Sequence, residues 1–224
     1  MERVALSWSG GKDCAMALYE IKRDSKYTVS YLLTTITRDY DRISMHGVRR
    51  ELLEKQADST GIPLKKVFIP INCTDEIYAE IMMVEMEKLK AEGIDTVAFG
   101  DIFLQDLREY RENNLGKAGM KAIFPVWKRD SGELVNTFID LGFKATITTV
   151  DPRKVSDNFC GRLIDKQFLA DLPSGVDPAG ENGEFHSFAF DGLTFKKPIS
   201  FAVGEKVLRD GFWFCDLIPV VTRT

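Results

Sequence analysis

The chain has 224 residues, 44% of them hydrophobic, enough for one large domain or two modest ones, each with its own core. Its 34 acidic and 30 basic side chains leave a formal charge of −4, which argues against a general nucleic-acid footprint. No charged-then-apolar leader and no run of about 18 apolar residues is present, so the expectation is a cytoplasmic protein without a membrane span.

Val4 to Trp8 reads as a buried strand, and Cys14, Ala17, Leu18 and Ile21 then mark one face of a helix over 12–23. The β-branched and apolar run YTVSYLLTTI (27–36) is a second strand. HGVRRELLEKQADSTG (46–61) is helical, stopping at Gly61 with Pro63 beyond. LKKVFIPI (64–71) is the third strand, Thr74 or Asp75 caps a helix running to about Gly93, and DTVAFGD (95–101) is the fourth. MKAIFPVW (120–127) is a fifth. Strands alternating with helices imply a parallel sheet covered on both faces, wound by right-handed crossovers.

After about residue 129 the pattern changes. SGELVNTFIDLG (131–142) reads as a helix, FKATITTV (143–150) as a strand, GRLIDKQFLADLP (161–173) as a helix and FHSFAFDG (185–192) as a strand. KVLRDGFWF (206–214) sets Asp-Gly between two apolar runs, a hairpin signal. The fold expected is α/β: a doubly wound parallel five-stranded sheet over 1–128, followed by a smaller α+β domain over 129–224. Cys14, Cys73, Cys160 and Cys215 are scattered with no Cys-x-x-Cys pair, and read as small hydrophobes in a reducing compartment rather than as a disulfide frame or zinc site.

The stretch SWSGGKDC (7–14) joins the first strand to the first helix. Such a turn aims backbone N–H groups and the helix dipole at an anion, above all phosphate. Gly10 and Gly11 let the backbone approach a ligand closely, and Lys12 adds a point charge. A tight turn without a ligand is the plain alternative. The Walker spacing is absent: Leu6 stands where its first glycine belongs, and Asp13 follows the lysine where a hydroxyl would hold magnesium.

Ser9, Gly10, Gly11, Lys12 and Asp13 resemble the Ser-Gly-Gly-Lys-Asp-Ser loop of the ATP pyrophosphatase (PP-loop) family, with Cys14 replacing the last serine. In DPAGENGEFHSFAFDG (177–192), Gly180, Glu181, Gly183, Glu184, Phe185, His186 and Ser187 resemble the signature of the diphthine–ammonia ligase group. HGVRRELLEKQADSTGIPL (46–64), FGDIFLQDLREYRE (99–112) and VDPRKVSDNFCGRLID (150–165) are similar to segments of the same group, so the likeness spans most of the chain.

The resemblance implies a HUP-like nucleotide-binding fold and an AMP-forming carboxylate–ammonia ligase using ATP and Mg²⁺. Its loop grips the departing pyrophosphate, and its acceptor is diphthine on elongation factor 2. Ligands of doubly wound sheets sit beyond the C-terminal strand ends. The expected ATP site is therefore Ser9 to Asp13, Thr34 and Thr35 at the adenine, His46 at the start of the next helix, and Gly100 with Asp101. Asp13 and Asp101 are the candidate magnesium carboxylates, or else caps or ion-pair partners. Arg108 is a candidate grip for phosphate or acceptor carboxylate, against the alternative of an i,i+4 surface pair with Glu112. Glu181, Gly183, Glu184 and His186 form the candidate acceptor site, with Lys12, Asp13, Arg108 and Glu184 as the catalytic set; an exposed acidic turn is the alternative. Phe185 and Trp127 are candidate cation–π contacts, or core.

Two histidines and no room for a third domain leave free ammonia as the expected nitrogen source. Three rivals stay open: a tRNA thiolation enzyme using Cys14 and Cys160, a nucleotide sensor without turnover, and the same ligase chemistry on another small carboxylate such as a corrinoid side chain. Oligomeric state, including a homo-oligomer, is left open by the sequence.

Overall fold

The computed structural model describes residues 1–220. The chain runs β1 (Glu2–Ser7), α1 (Lys12–Arg23), β2 (Tyr27–Thr37), β3 (Arg42–Ile43), α2 (Arg50–Thr60), β4 (Leu64–Ile69), α3 (Asp75–Ala91), β5 (Thr96–Ala98), α4 (Gln105–Lys117) and β6 (Lys121–Ile123). It continues with α5 (Ser131–Asp140), β7 (Lys144–Val150), a 3₁₀ turn (Asp157–Phe159), α6 (Lys166–Asp171), β8 (Phe185–Asp191), β9 (Phe201–Arg209) and β10 (Phe212–Pro219).

The first sheet is parallel in the order β4-β2-β1-β5-β6, so its C-terminal edge opens between β1 and β5, where the winding reverses. A sixth strand joins the five expected. β2 outruns β1, and its last residues Ile36 and Thr37 take the antiparallel partners Ile43 and Arg42. α1 presents Cys14, Ala17, Leu18 and Ile21 inward as the spacing predicts, but Ala15 and Met16 are buried too. The helix packs on β1 and β2 and also against β8 of the second half, so no side of its middle turns faces water.

Four predicted elements are shorter than expected. α2 starts at Arg50, because Arg49 is extended and bridges back to Arg42; His46 therefore sits in the preceding turn rather than on the helix. β5 and β6 stop after three residues each, and the rest of both predicted strands forms loops at the open sheet edge. The helix expected over 161–173 shrinks to six residues. Its first residues bond to β7 instead, with the Gly161 and Ile164 amides donating to Ile147 and Ala145, while Asp165 caps the Phe168 amide at 2.7 Å. Thr74 caps α3 by accepting from the Ile77 amide at 3.4 Å.

The second sheet is antiparallel, β8-β7-β10-β9. Asp210 and Gly211 have φ of 52° and 82°, the paired left-handed turn that matches the twist of a two-residue hairpin. The larger core runs through both halves, from Leu6, Met16 and Leu18 to Phe138, Phe168, Phe188 and Leu217. A smaller one, with Leu33, Met86, Leu89 and Val97, lies on the other face of the first sheet. No described helix is long and apolar enough to cross a membrane.

Candidate active site

The 9–13 loop is locked from three sides. Gln56, fully buried on α2, donates to the Gly10 carbonyl at 2.9 Å and to Ala189 at 2.6 Å, and accepts from the Trp8 indole at 2.9 Å. A Cβ on Gly10, whose φ is +78°, would lie 2.6 Å from the Gln56 side-chain oxygen. From the second half, the Ala189 amide donates to Gly10 at 2.8 Å and the Lys12 amide to Ser187 Oγ at 3.2 Å. From β5, Gly100 comes so close that a Cβ there would sit 2.9 Å from the backbone of Asp13 and Cys14.

Lys12 is 3% exposed; its ammonium donates to Asp13 Oδ2 at 3.0 Å and to the Ala179 carbonyl, and lies 5.3 Å from the Phe185 ring centre. The other Asp13 oxygen is buried without a hydrogen-bond partner. Burial raises the Asp13 carboxyl above the usual range, outweighing the Lys12 charge that lowers it. Asp13, Lys12, Asp101 and Glu181 share a cavity of about 240 Å³ with Gly100, Gly183 and His186. Glu181 accepts from the Ile102 amide at 3.0 Å, and burial, then the Asp13 charge, push it up to about 7. An anionic ligand binding here gains most if Glu181 is protonated.

A second cavity of about 580 Å³ adjoins the first, sharing Ser9, His46, Arg111 and His186. Thr34 and Thr35 line it with Met82 and Met86, an apolar space of the size a small heterocycle needs. The Thr34 hydroxyl is buried without a partner. The His46 and His186 rings lie 4.4 Å apart at the junction, and His46 Nδ1 is 3.3 Å from the Ser187 carbonyl. Burial first, then the neighbouring positive charges, hold His46 well below its ordinary value, and burial with Lys12 brings His186 to about 4. Both rings are therefore neutral at pH 7.

Three expected site residues are placed elsewhere. Arg108 pairs with Glu112 at 2.8 Å on the outward face of α4, stacked over Phe124 and Trp127 at 4.7 and 4.8 Å, and neither residue lines either cavity. Glu184 is buried, and one of its oxygens faces the Asp177 amide and the Asn182 side chain, each at 3.3 Å, inside its own loop. The guanidinium that does enter is Arg111, which holds both Asp101 oxygens at 2.5 and 3.1 Å. The spacing of Leu104, Leu107 and Arg111 was the available signal: these three line the first cavity and form one helix face. Gln56 was not singled out, and Ser187 stood out only as part of the signature resemblance; their partners in the loop lie 46 and 175 residues away.

The sequence profile of the Diphthamide synthase N-terminal domain matches residues 2–122, and that of the Diphthamide synthase C-terminal domain matches residues 130–218. The chain belongs to the diphthamide synthase family. It is thereby an enzyme of the PP-loop ATP pyrophosphatase type, like the diphthine–ammonia ligases. No curated protein sequence matches it. Among solved structures, U34-tRNA thiolase NcsA from Methanococcus maripaludis, with its 4Fe-4S cluster, is 20% identical at a TM-score of 0.39, over 62% of this chain and 55% of the thiolase. This chain thus spans little more than half of that protein, a likeness too partial to bear on substrate.

Members of this family work with ATP and magnesium. The residues present fit a magnesium ion that arrives with phosphates, because Asp13 offers one carboxylate oxygen without a partner. Asp101 fits less well than expected, since Arg111 occupies both its oxygens. No cluster of three metal-ligating side chains exists among the described residues. Cys14 and Cys160 are buried, and burial pushes Cys14 up to about 11 and Cys160 up to about 12. Cys14 bonds the Gly11 carbonyl at 3.1 Å, whereas Cys160 faces the Trp213 carbonyl and the charge of Cys215. Neither is the low-pKa thiolate that sulfur transfer needs.

Proposed function

We propose that this protein is an AMP-forming carboxylate–ammonia ligase, residues 1–128 binding ATP and residues 129–224 the acceptor. The supporting observation is the buried Lys12–Asp13 pair on a glycine loop braced by the 179–189 segment, with an unpartnered carboxylate oxygen at the head of the cavity. A carboxylate does not yield to ammonia directly, because oxide is a poor leaving group. In the first step an acceptor carboxylate oxygen attacks the α-phosphorus of ATP, the bond to the bridging oxygen breaks, and pyrophosphate leaves. Ammonia then attacks the acyl carbon, AMP departs with the shared oxygen, and one proton is released as the amide forms.

The chain contributes positioning and charge. Lys12 and the amides at the start of α1 receive the outer phosphates; Thr34 and Thr35 border the adenine; Asp13 would hold magnesium, which would supply charge neutralisation to the phosphates. Free ammonia serves as the nitrogen source. Family membership makes diphthine on elongation factor 2 the first acceptor to test.

A second reading keeps the chemistry and replaces diphthine by a small-molecule acid. It is favoured by the placement of the acidic loop, in which Glu181 lines the first cavity while Glu184 does not, so the two carboxylates do not form a paired cage for a trimethylammonium group. The test is incubation with ATP, magnesium, ¹⁵N-ammonium and candidate acids, diphthine-bearing elongation factor 2 among them. Mass spectrometry should show a labelled amide, with AMP and pyrophosphate formed in equal amounts. Release of ADP and orthophosphate would overturn the proposal.

A further inference from the structure

Three cavities meet at His186. Besides the two described, it lines a third of about 420 Å³, between the 37–47 segment and the tip of the β9–β10 hairpin. None of Ser9 to Asp13, Thr34, Thr35 or Asp101 lines this one. Its charged and aromatic wall places Tyr40, Phe212 and Phe214 beside Arg42, Arg209 and one carboxylate, Asp210.

The two arginines differ. Arg42 is engaged, donating to the Gly47 carbonyl at 2.7 Å and to Asp216 at 2.8 Å, while Arg49 takes the other Asp216 oxygen at 2.6 Å. This cluster fastens the hairpin to the first half of the chain, and Phe214 packs so closely on Gly47 that a Cβ there would lie 2.6 Å from its ring. Arg209 is sandwiched instead, its guanidinium 4.6 Å from the Tyr40 ring centre and 4.7 Å from that of Phe214. Its nearest carboxylate, Asp210, is 3.9 Å away, beyond hydrogen-bond length, and among the described residues Arg209 donates no hydrogen bond. Its planar face is fixed while its donors remain available. On the rim, Met45 holds the left-handed conformation at φ 65°, a strained state for a residue with a Cβ, and it lines both this cavity and the Thr34 cavity.

We propose that this third cavity binds the body of the acceptor, and that the acceptor is a small acid with a flat apolar face and a second anionic group. The reacting carboxylate then lies at the His186 junction, within reach of the nucleotide cavities, and the second anion pairs with Arg209. The aromatic walls stack the body between them. A cavity of this size suits a small molecule, and the unpaired donors of Arg209 suit an anion on it. This rests on the ligase reading for what happens to the bound acid, but the binding itself is separable from it.

The experiment is calorimetric titration of 2,6-naphthalenedicarboxylate, a flat dianion, into the full chain with the nucleotide cavities saturated by α,β-methylene-ATP. One-to-one binding is expected, weakened about tenfold or more by Arg209→Gln and by Phe214→Ala, and less by Arg209→Lys. Nucleotide affinity of each variant should stay within about twofold, which also shows that it folds, and choline should not compete. No binding by the unaltered protein, equal binding by Arg209→Gln, or displacement by choline would each overturn the proposal. If the protein releases ADP rather than AMP, the ligase reading falls while this titration still decides the site.

Discussion

Two glycine-containing loops meet in this protein, and they do opposite things with similar residues. In the 9–13 loop the glycines are demanded by neighbours: Gly10 by Gln56, and Gly11 by Ser187, His46 and Ser9. Its charges sit side by side at the cavity head. In the 180–187 loop, Gly180 is likewise closed in, a Cβ there lying 2.9 Å from Phe185, whereas Gly183 takes φ +79° with open space around it, so only its backbone conformation calls for glycine. Its two glutamates part company, Glu181 turning into the cavity and Glu184 into its own loop. Neither loop is complete alone, because the second supplies Ala179 and Ser187 as partners for Lys12. A motif read as one acidic unit is thus split, Glu181 lining the cavity and Glu184 bonded within its loop.

The largest effect expected is at the first loop. Lys12→Ala should lower AMP formation by about 10²–10³-fold, the cost of one lost charge-stabilising donor, and should also lower the melting temperature of a still-folded chain, because Asp13 and the Ala179 carbonyl lose a buried partner; chromatography of nucleotide products checks the first. Melting without recovery would instead make Lys12 a structural residue. In the second loop, Glu184→Ala should cost about 1–3 kcal/mol of stability in urea unfolding, because the Asp177 amide and the Asn182 side chain lose their acceptor. An unchanged urea midpoint with abolished turnover would return Glu184 to the catalytic set.

The two sides of the cavity should also carry opposite pH slopes. Folded His186 titrates at about 4 against 6.5 unfolded, so the native state binds fewer protons between these values and stability rises with pH across that window. Folded Glu181, at about 7 against 4.5, binds more protons than the unfolded chain, so its contribution falls as pH rises through its own window. Thermal melts should show His186→Gln less sensitive to acid between pH 4 and 6.5, and Glu181→Gln gaining stability above pH 7. The smallest change is expected at Arg108→Ala, about 0.2–0.5 kcal/mol for an exposed i,i+4 pair, with turnover unaltered. A large loss of turnover there would place Arg108 in the site despite its outward position.

The alternation of strands and helices, the strand-to-helix glycine loop, the caps at Thr74 and Gly61 and the Asp210-Gly211 hairpin were all legible, because each depends on residues a few positions apart, whereas the order of the strands in the sheet was not. Arg108 was singled out on the family likeness, but Arg111 lies on the same helix, and which face turns inward depends on α4 packing at the open edge of the sheet. His46 was placed on a helix because its segment is helical in composition, but an Arg42–Arg49 bridge delays the first turn. The hairpin was expected, whereas the cavity beneath its tip needed Asp216 to reach arginines more than 160 residues earlier.

By itself the amino-acid order determined the parallel sheet, the anion-seeking loop at its edge and the family likeness, since alternation, glycine placement and short motifs are properties of neighbouring residues. The tertiary structure decided which carboxylates face the ligand, which arginine enters the site and where a third cavity opens. Those outcomes depend on burial and on partners far along the chain, and a side chain's charge state and direction follow from what packs against it.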